Sequence, residues 1–116
     1  MGLPSEAEII EFPADMLNKA RQAADMLKAL GHEHRLLIMY LLADGEKAVT
    51  ELEHLLSLKQ PAVSQLLTRL RADDLVETRR DGKTIYYSIK DPNVKEILET
   101  LYRLYCEPDG GCVTGT

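Results

Sequence analysis

A mainly α chain with a small β-hairpin, about five helices plus a two-stranded wing, is what this sequence predicts. Three observations carry the prediction. Apolar residues recur at helical spacing through successive segments of residues 14–72. The period then drops to two on both sides of Asp81-Gly82, a hairpin signal, and helical spacing returns after Asp91-Pro92. At 116 residues, 45% of them hydrophobic, the chain suits one folded domain with one core, and disorder throughout is excluded.

Residues 1–13 are expected to form a flexible arm ending at Pro13. From Ala14 the residues Met16, Ala20, Ala23, Ala24, Leu27 and Leu30 share a helical stripe that stops at Gly31, a good C-terminal punctuator. The small alanines allow another helix to approach closely, including one from a second subunit. A second helix, about residues 34–43, presents Leu37, Ile38, Leu41 and Leu42 and stops at Asp44-Gly45. Thr50 and Glu53 form a Thr-x-x-Glu capping box that starts a third helix, with Leu52, Leu55 and Leu56 facing inward. Leu58-Lys59-Gln60 is the turn, and Pro61 falls in the first turn of a fourth helix, where proline is best tolerated. There Val63, Leu66, Leu67 and Leu70 recur at i, i+3, i+4 and i+7 and pack on the body. Two strands, residues 75–80 and 83–89, flank the Asp81-Gly82 turn. Tyr86 and Tyr87, adjacent on the second strand, point to opposite faces and are assigned to structure. A last helix runs from Asp91-Pro92 to about Cys106 with Val94, Ile97, Leu98, Leu101 and Tyr105 on one stripe. Residues 107–116 are turn-rich and are expected to be a flexible tail, which leaves 14–106 as the folded domain.

Residues 50–72 therefore read as a helix-turn-helix, with 61–72 as its recognition helix. Opposite the apolar stripe lie Pro61, Ser64, Gln65, Thr68 and, at the edge, Arg69, with Gln60 just ahead of them and no carboxylate before Asp73. Short amides, hydroxyls and a guanidinium form the surface a helix needs to lie in a DNA major groove and hydrogen-bond base edges. The hairpin behind it is a wing, whose Arg79, Arg80 and Lys83 are expected to grip the DNA backbone or minor groove while also guarding a sheet edge. The charge pattern agrees. The net charge of −5 excludes an indiscriminate nucleic-acid coat protein, yet residues 59–90 hold seven Lys/Arg against four Asp/Glu, while both flanking segments are acidic.

The residues also resemble a known family. LKALGHEHRLLIMYLL resembles the second-helix signature of the ArsR/SmtB family of winged helix-turn-helix repressors, QPAVSQLLTRLRADDLV its recognition helix, and RRDGKTIYYSI its wing, over about residues 20–106. The resemblance implies a homodimer built through the first and last helices and bound to a double-stranded DNA operator. QPAVSQ, GKTIYYS and LYRLYC are most similar to the BigR/SqrR/HlyU-like thiol-sensing branch, which implies a reactive sulfur species or an oxidant as inducer. Cys106 matches one of that branch's two sensing cysteines; at the other, on the second helix, this chain has Tyr40, so the usual cross-helix link cannot form. Cys112 offers a substitute, six residues on through Pro108, Gly110 and Gly111, and redox sensing is assigned to Cys106 and Cys112. Two cysteines this close to the C-terminus could not staple a core, and a reducing cytosol would keep them as thiols.

No metal and no cofactor are expected. His32, His34 and His54 lie on different segments without a partner cysteine, and Ala48 and Thr50 stand where arsenic- and lead-sensing members carry a cysteine pair. There is no phosphate-cradling Gly-rich loop and no histidine near either cysteine in sequence, so no enzyme activity is expected. No apolar run reaches the roughly 20 residues of a membrane span, the N-terminus is acidic, and a cytoplasmic protein with no membrane partner is expected. The sequence thus predicts a sequence-specific DNA-binding transcriptional repressor, homodimeric on an inverted-repeat operator and released by thiol oxidation or persulfidation. The alternatives are a winged-helix repressor without inducer sensing and a protein-interaction module that no longer binds DNA.

Overall fold

Arg35 holds the first two helices together. Its Nε donates to the Ala29 carbonyl at 2.6 Å and its Nη2 to the Lys28 carbonyl at 3.2 Å, satisfying acceptors that a helix end leaves orphaned. The computed structural model describes residues 13–106. The elements are α1 (Ala14–Leu30), α2 (Glu33–Ala43), β1 (Lys47–Ala48), α3 (Val49–Leu56), α4 (Gln60–Ala72), β2 (Val76–Asp81), β3 (Thr84–Ile89) and α5 (Pro92–Tyr105). Apart from Pro13, the expected arm and tail lie outside the described residues.

Gly31 ends α1 through close approach: its φ is −76°, and a Cβ there would lie 3.1 Å from the Leu27 carbonyl oxygen. His32 then caps α2, its Nδ1 accepting from the His34 N–H. The expected Thr50–Glu53 box is replaced by a half-box two residues earlier. The Ala48 N–H donates to the Glu51 carboxylate at 2.9 Å, and Ala48 itself has no side-chain acceptor to reciprocate.

Both helices of the pair end in the left-handed region without glycine. Ser57 (φ 55°) closes α3, with the Leu58 N–H donating to the Glu53 carbonyl. Asp74 (φ 58°) closes α4, with the Leu75 N–H donating to Leu70 and the Asp74 N–H to Arg71, a complete Schellman pair. The helix-to-helix turn is thus Ser57-Leu58-Lys59, and α4 begins one residue sooner than expected, at Gln60, with Pro61 in its first turn.

The sheet has three strands, not two, in the order β1-β3-β2 and all antiparallel. The two residues of β1 pair Lys47 with Tyr87 and Ala48 with Tyr86, tying the start of α3 to the hairpin. Period-two reasoning could not find so short a strand. The hairpin turn is also shifted by one: Asp81 pairs with Thr84, leaving Gly82 (φ 64°) and Lys83 as the loop. Glycine at the first central position is the residue that a type II′ turn requires.

The core lies between α2, α3, α4, α5 and one face of the sheet. Ile38, Met39, Leu42, Leu52, Val63, Leu67, Leu70, Val76, Val94 and Leu98 are fully enclosed, and truncating one of these leucines to alanine would cost about 2–5 kcal/mol. Leu66 is half-buried against them. Leu37 and Leu55, from the apolar stripes of α2 and α3, are instead solvent-facing, and Tyr105 on the α5 stripe is 74% exposed. Nearly all of α1 stands off the body. Of its residues only Ala29 and Leu30 are buried, while Met16, Leu17 and Leu27 are exposed.

Candidate nucleic-acid interface

The outer face of α4 is built by its inner one. With Val63, Leu67 and Leu70 enclosed, the 3.6-residue period turns Gln65, Thr68 and Arg69 outward, all exposed, and leaves Ser64 half-buried at the margin. The Gln60 Nε2 donates to the Ser64 Oγ at 2.7 Å, and the Thr68 Oγ donates back to the Ser64 carbonyl at 2.8 Å. The Gln65 side chain is exposed and forms no hydrogen bond among the described residues, so its amide is available to an outside ligand. Arg69 bridges to Asp73 at 2.7 Å; as a solvent-exposed i,i+4 pair it is worth only a few tenths of a kcal/mol and yields readily to a phosphate. No acidic side chain stands in the first turn of α4, where the helix dipole favours an anion.

The wing separates into two kinds of cation. Arg80 and Lys83 are exposed and carry no ion pair among the described residues. Arg79, expected to be a free contact like them, is engaged inside the chain. Its Nε donates to the Glu46 Oε2 at 3.1 Å and its Nη2 to the Glu46 Oε1, a two-bond fork. Its Nη1 is 4.0 Å from the Asp81 carboxylate, and its guanidinium carbon sits 4.8 Å from the centre of the Tyr86 ring. The Arg79 hydrogen bonds hold the Glu46 carboxyl below its ordinary pKa, and the same bonds raise that of Arg79. Alternation explains the split: Arg79 shares a face with its cross-strand partner Tyr86, and Arg80 shares the other with Ile85. Tyr87 packs against the core on that second face, so both tyrosines serve structure. Glu46 is the residue sequence reasoning missed. Only the pairing of β1 with β3 brings it near the hairpin, and that pairing has no clear sequence signal.

At the far end of the fold, Cys106 caps α5, its N–H donating to the Tyr102 carbonyl at 2.8 Å. Cys106 is disulfide-bonded in this structure, the oxidised state of a residue that a reducing cytosol is expected to keep as a thiol. Cys112 lies outside the described residues. Tyr40, in the place of a second-helix cysteine, is half-buried, and burial raises its hydroxyl pKa. With Leu98, Lys95 and Tyr102 it lines a groove of about 580 Å³ between α2 and α5.

The geometry also places two of the histidines. His32 serves as a helix cap and stacks, tilted, 5.7 Å from His34. No helix among the described residues is long and apolar enough to cross a membrane.

Known proteins carry the same arrangement. The model of the bacterial regulatory proteins of the arsR family matches residues 32–78, from the start of α2 into the wing. The transcriptional activator HlyU of Vibrio cholerae is 42% identical over 93 residues, 80% of this chain and 86% of that protein. The chain belongs to the arsR family of bacterial regulatory proteins. The biofilm growth-associated repressor of Agrobacterium fabrum is 38% identical over 108 residues, 92% of each chain. Among solved structures, reduced HlyU from Vibrio cholerae superposes with a TM-score of 0.76 at 41% identity, covering 81% of this chain and 99% of that one. The homodimeric winged helix-turn-helix DNA-binding domain of Mb0332 from Mycobacterium bovis superposes with a TM-score of 0.71 at 29% identity, covering 83% and 89%. This arsR-family chain is thus a transcriptional regulator, and the winged helix-turn-helix is the unit it shares with these proteins.

Proposed function

We propose that this arsR-family regulator is a homodimeric repressor that binds an inverted-repeat operator and is released by thiol chemistry at Cys106. The observation that carries the DNA reading is the outer face of α4, where exposed amide, hydroxyl and guanidinium groups stand with no acid before Asp73, directly behind a turn and ahead of a wing. Gln65 is the base reader, with Gln60, Ser64, Thr68 and Arg69 beside it, and Arg80 and Lys83 hold phosphates on the flank. The dimer reading rests on α1. Met16, Leu17 and Leu27, with Leu104 and Tyr105 at the end of α5, leave more apolar surface uncovered than a chain of this size tolerates in water. Two-fold pairing through those helices would set the two copies of α4 about 34 Å apart, on successive major grooves.

Release runs through Cys106, for which Cys112 is the partner the sequence offers. The two thiols give up two electrons and two protons to an oxidant. With a polysulfide, the Cys106 thiolate attacks a sulfane sulfur and expels the rest of the polysulfide, one sulfur shorter, to leave a Cys106 persulfide; the second thiol then attacks the Cys106 sulfur and displaces the outer sulfur as hydrogen sulfide, forming the disulfide. Such a protein works in the cytoplasm and needs no catalytic machinery. The test is a fluorescence titration of the reduced protein on its own upstream DNA, repeated after polysulfide treatment, together with a promoter reporter. Tight binding, weakening on treatment, loss of that response in Cys106→Ser and higher reporter output without the protein are expected. Absence of specific binding would leave the protein-interaction reading, which the acidic net charge favours. Binding indifferent to thiol state would leave a repressor without this switch.

A further inference from the structure

Arg79 and Glu46 lie 33 residues apart in sequence, yet they meet across the outer face of the sheet. Glu46 stands just before β1, Arg79 is on β2, and β3 runs between these strands with Tyr86 under the guanidinium. One edge of that guanidinium is held by the Glu46 fork, a second corner is near Asp81, and its face lies over an aromatic ring. A group restrained on three sides is poorly placed to swing out to a phosphate. The elements it joins are the ones whose relative angle matters for docking. β1 has only two residues and leads straight into α3, so the start of the helix-turn-helix is tied to the hairpin by a short strand pairing and by this ion pair.

We propose that Glu46 and Arg79 are positioning residues that set the angle of the wing against the helix pair, so that Arg80 and Lys83 meet the backbone while α4 is seated. This rests on the DNA-binding reading above. It makes a prediction opposite in sign to simple electrostatics: removing the Glu46 charge from a protein that approaches a polyanion should tighten binding through charge alone, whereas loss of the clamp should loosen it.

The experiment compares wild type with Glu46→Gln, Arg79→Ala, Arg80→Ala and the charge-reversed pair Glu46→Arg with Arg79→Glu. Each is titrated on specific and random DNA at several salt concentrations, with amide hydrogen exchange of residues 79–86 measured in the free protein. We expect Glu46→Gln to fold normally, because an exposed pair contributes little to stability, and to bind specific DNA at least about threefold more weakly. Arg79→Ala should keep the wild-type salt slope, since no phosphate contact is lost, whereas Arg80→Ala should flatten it. The reversed pair should recover part of the lost affinity, and wing amides should exchange faster in Glu46→Gln. Equal or tighter binding by Glu46→Gln, or a flattened slope in Arg79→Ala, overturns the clamp and makes Arg79 a phosphate contact restrained until DNA arrives. If wild type binds no DNA, the DNA reading fails on its own and the clamp is judged by exchange alone: faster exchange of the wing supports it, and unchanged exchange overturns it.

Discussion

Removing the side chains of Arg80 and Lys83 tests how the wing meets DNA. Both are exposed and free of ion-pair partners among the described residues, so truncation breaks no ion pair among them. Each phosphate contact that displaces a counterion steepens the dependence of log affinity on log salt by about 0.9. A roughly fourfold rise in salt therefore weakens binding by about 3.5-fold for every such contact, or by about 12-fold for the two together. Arg80→Ala and Lys83→Ala should each lower the slope by about 0.9, and the double variant by about 1.8. The loss should be similar on operator and random duplexes, because phosphates carry no sequence information. Fluorescence anisotropy with a labelled duplex across a salt series measures the slopes directly. Slopes unchanged in both single variants would mean that the wing stays off the DNA, and a loss confined to the specific duplex would move these side chains to base reading.

Three other outcomes follow from the geometry. Gln65→Ala should weaken specific binding by about 1–3 kcal/mol and random binding much less; equal loss on both would make Gln65 a backbone contact. Leu27→Asp, placed on a residue 60% exposed in the single chain, should leave the fold intact and give a monomer by sedimentation, with operator binding lost; a dimer that persists would move the interface off α1. Lowering the pH should release the wing clamp only in acid. The folded pKa of Glu46 is depressed by its Arg79 hydrogen bonds, so the contribution of the pair is fully present above the unfolded carboxylate pKa and is lost as pH falls through the lower, folded one. A carbon-detected titration of the Glu46 carboxyl should therefore show a midpoint below that of an ordinary glutamate, and a midpoint at or above the ordinary value would refute it.

How much of this was legible beforehand depends on the range of the interaction. The α4 stripe of Val63, Leu66, Leu67 and Leu70 could be read from spacing because helix periodicity is local, and burying that stripe dictates which residues face out. The Asp91 cap of α5 was equally local, its carboxylate accepting from the Asn93 N–H two residues on. The errors fall where local chemistry was ambiguous. Thr50 and Glu53 fit a capping box by type, but Glu51 reached the Ala48 N–H instead. Ser57 and Asp74 ended helices in the left-handed region, where the eye looks for glycine.

By itself the sequence determined the order of helices and hairpin, the side of α4 turned to solvent and the concentration of positive charge behind it, since each depends on residues within a few turns of one another. The tertiary structure alone decided which cations were free. Arg79 and Arg80 are neighbours of the same type, and nothing local distinguishes them. The sheet's alternation places one over Tyr86 and the other on the opposite face, and the two-residue pairing of β1 with β3 brings Glu46 to the first. It likewise decided that Leu37 and Leu55 are exposed despite their apolar character and helical spacing, because a stripe read from one helix does not reveal how wide a face its neighbours can cover.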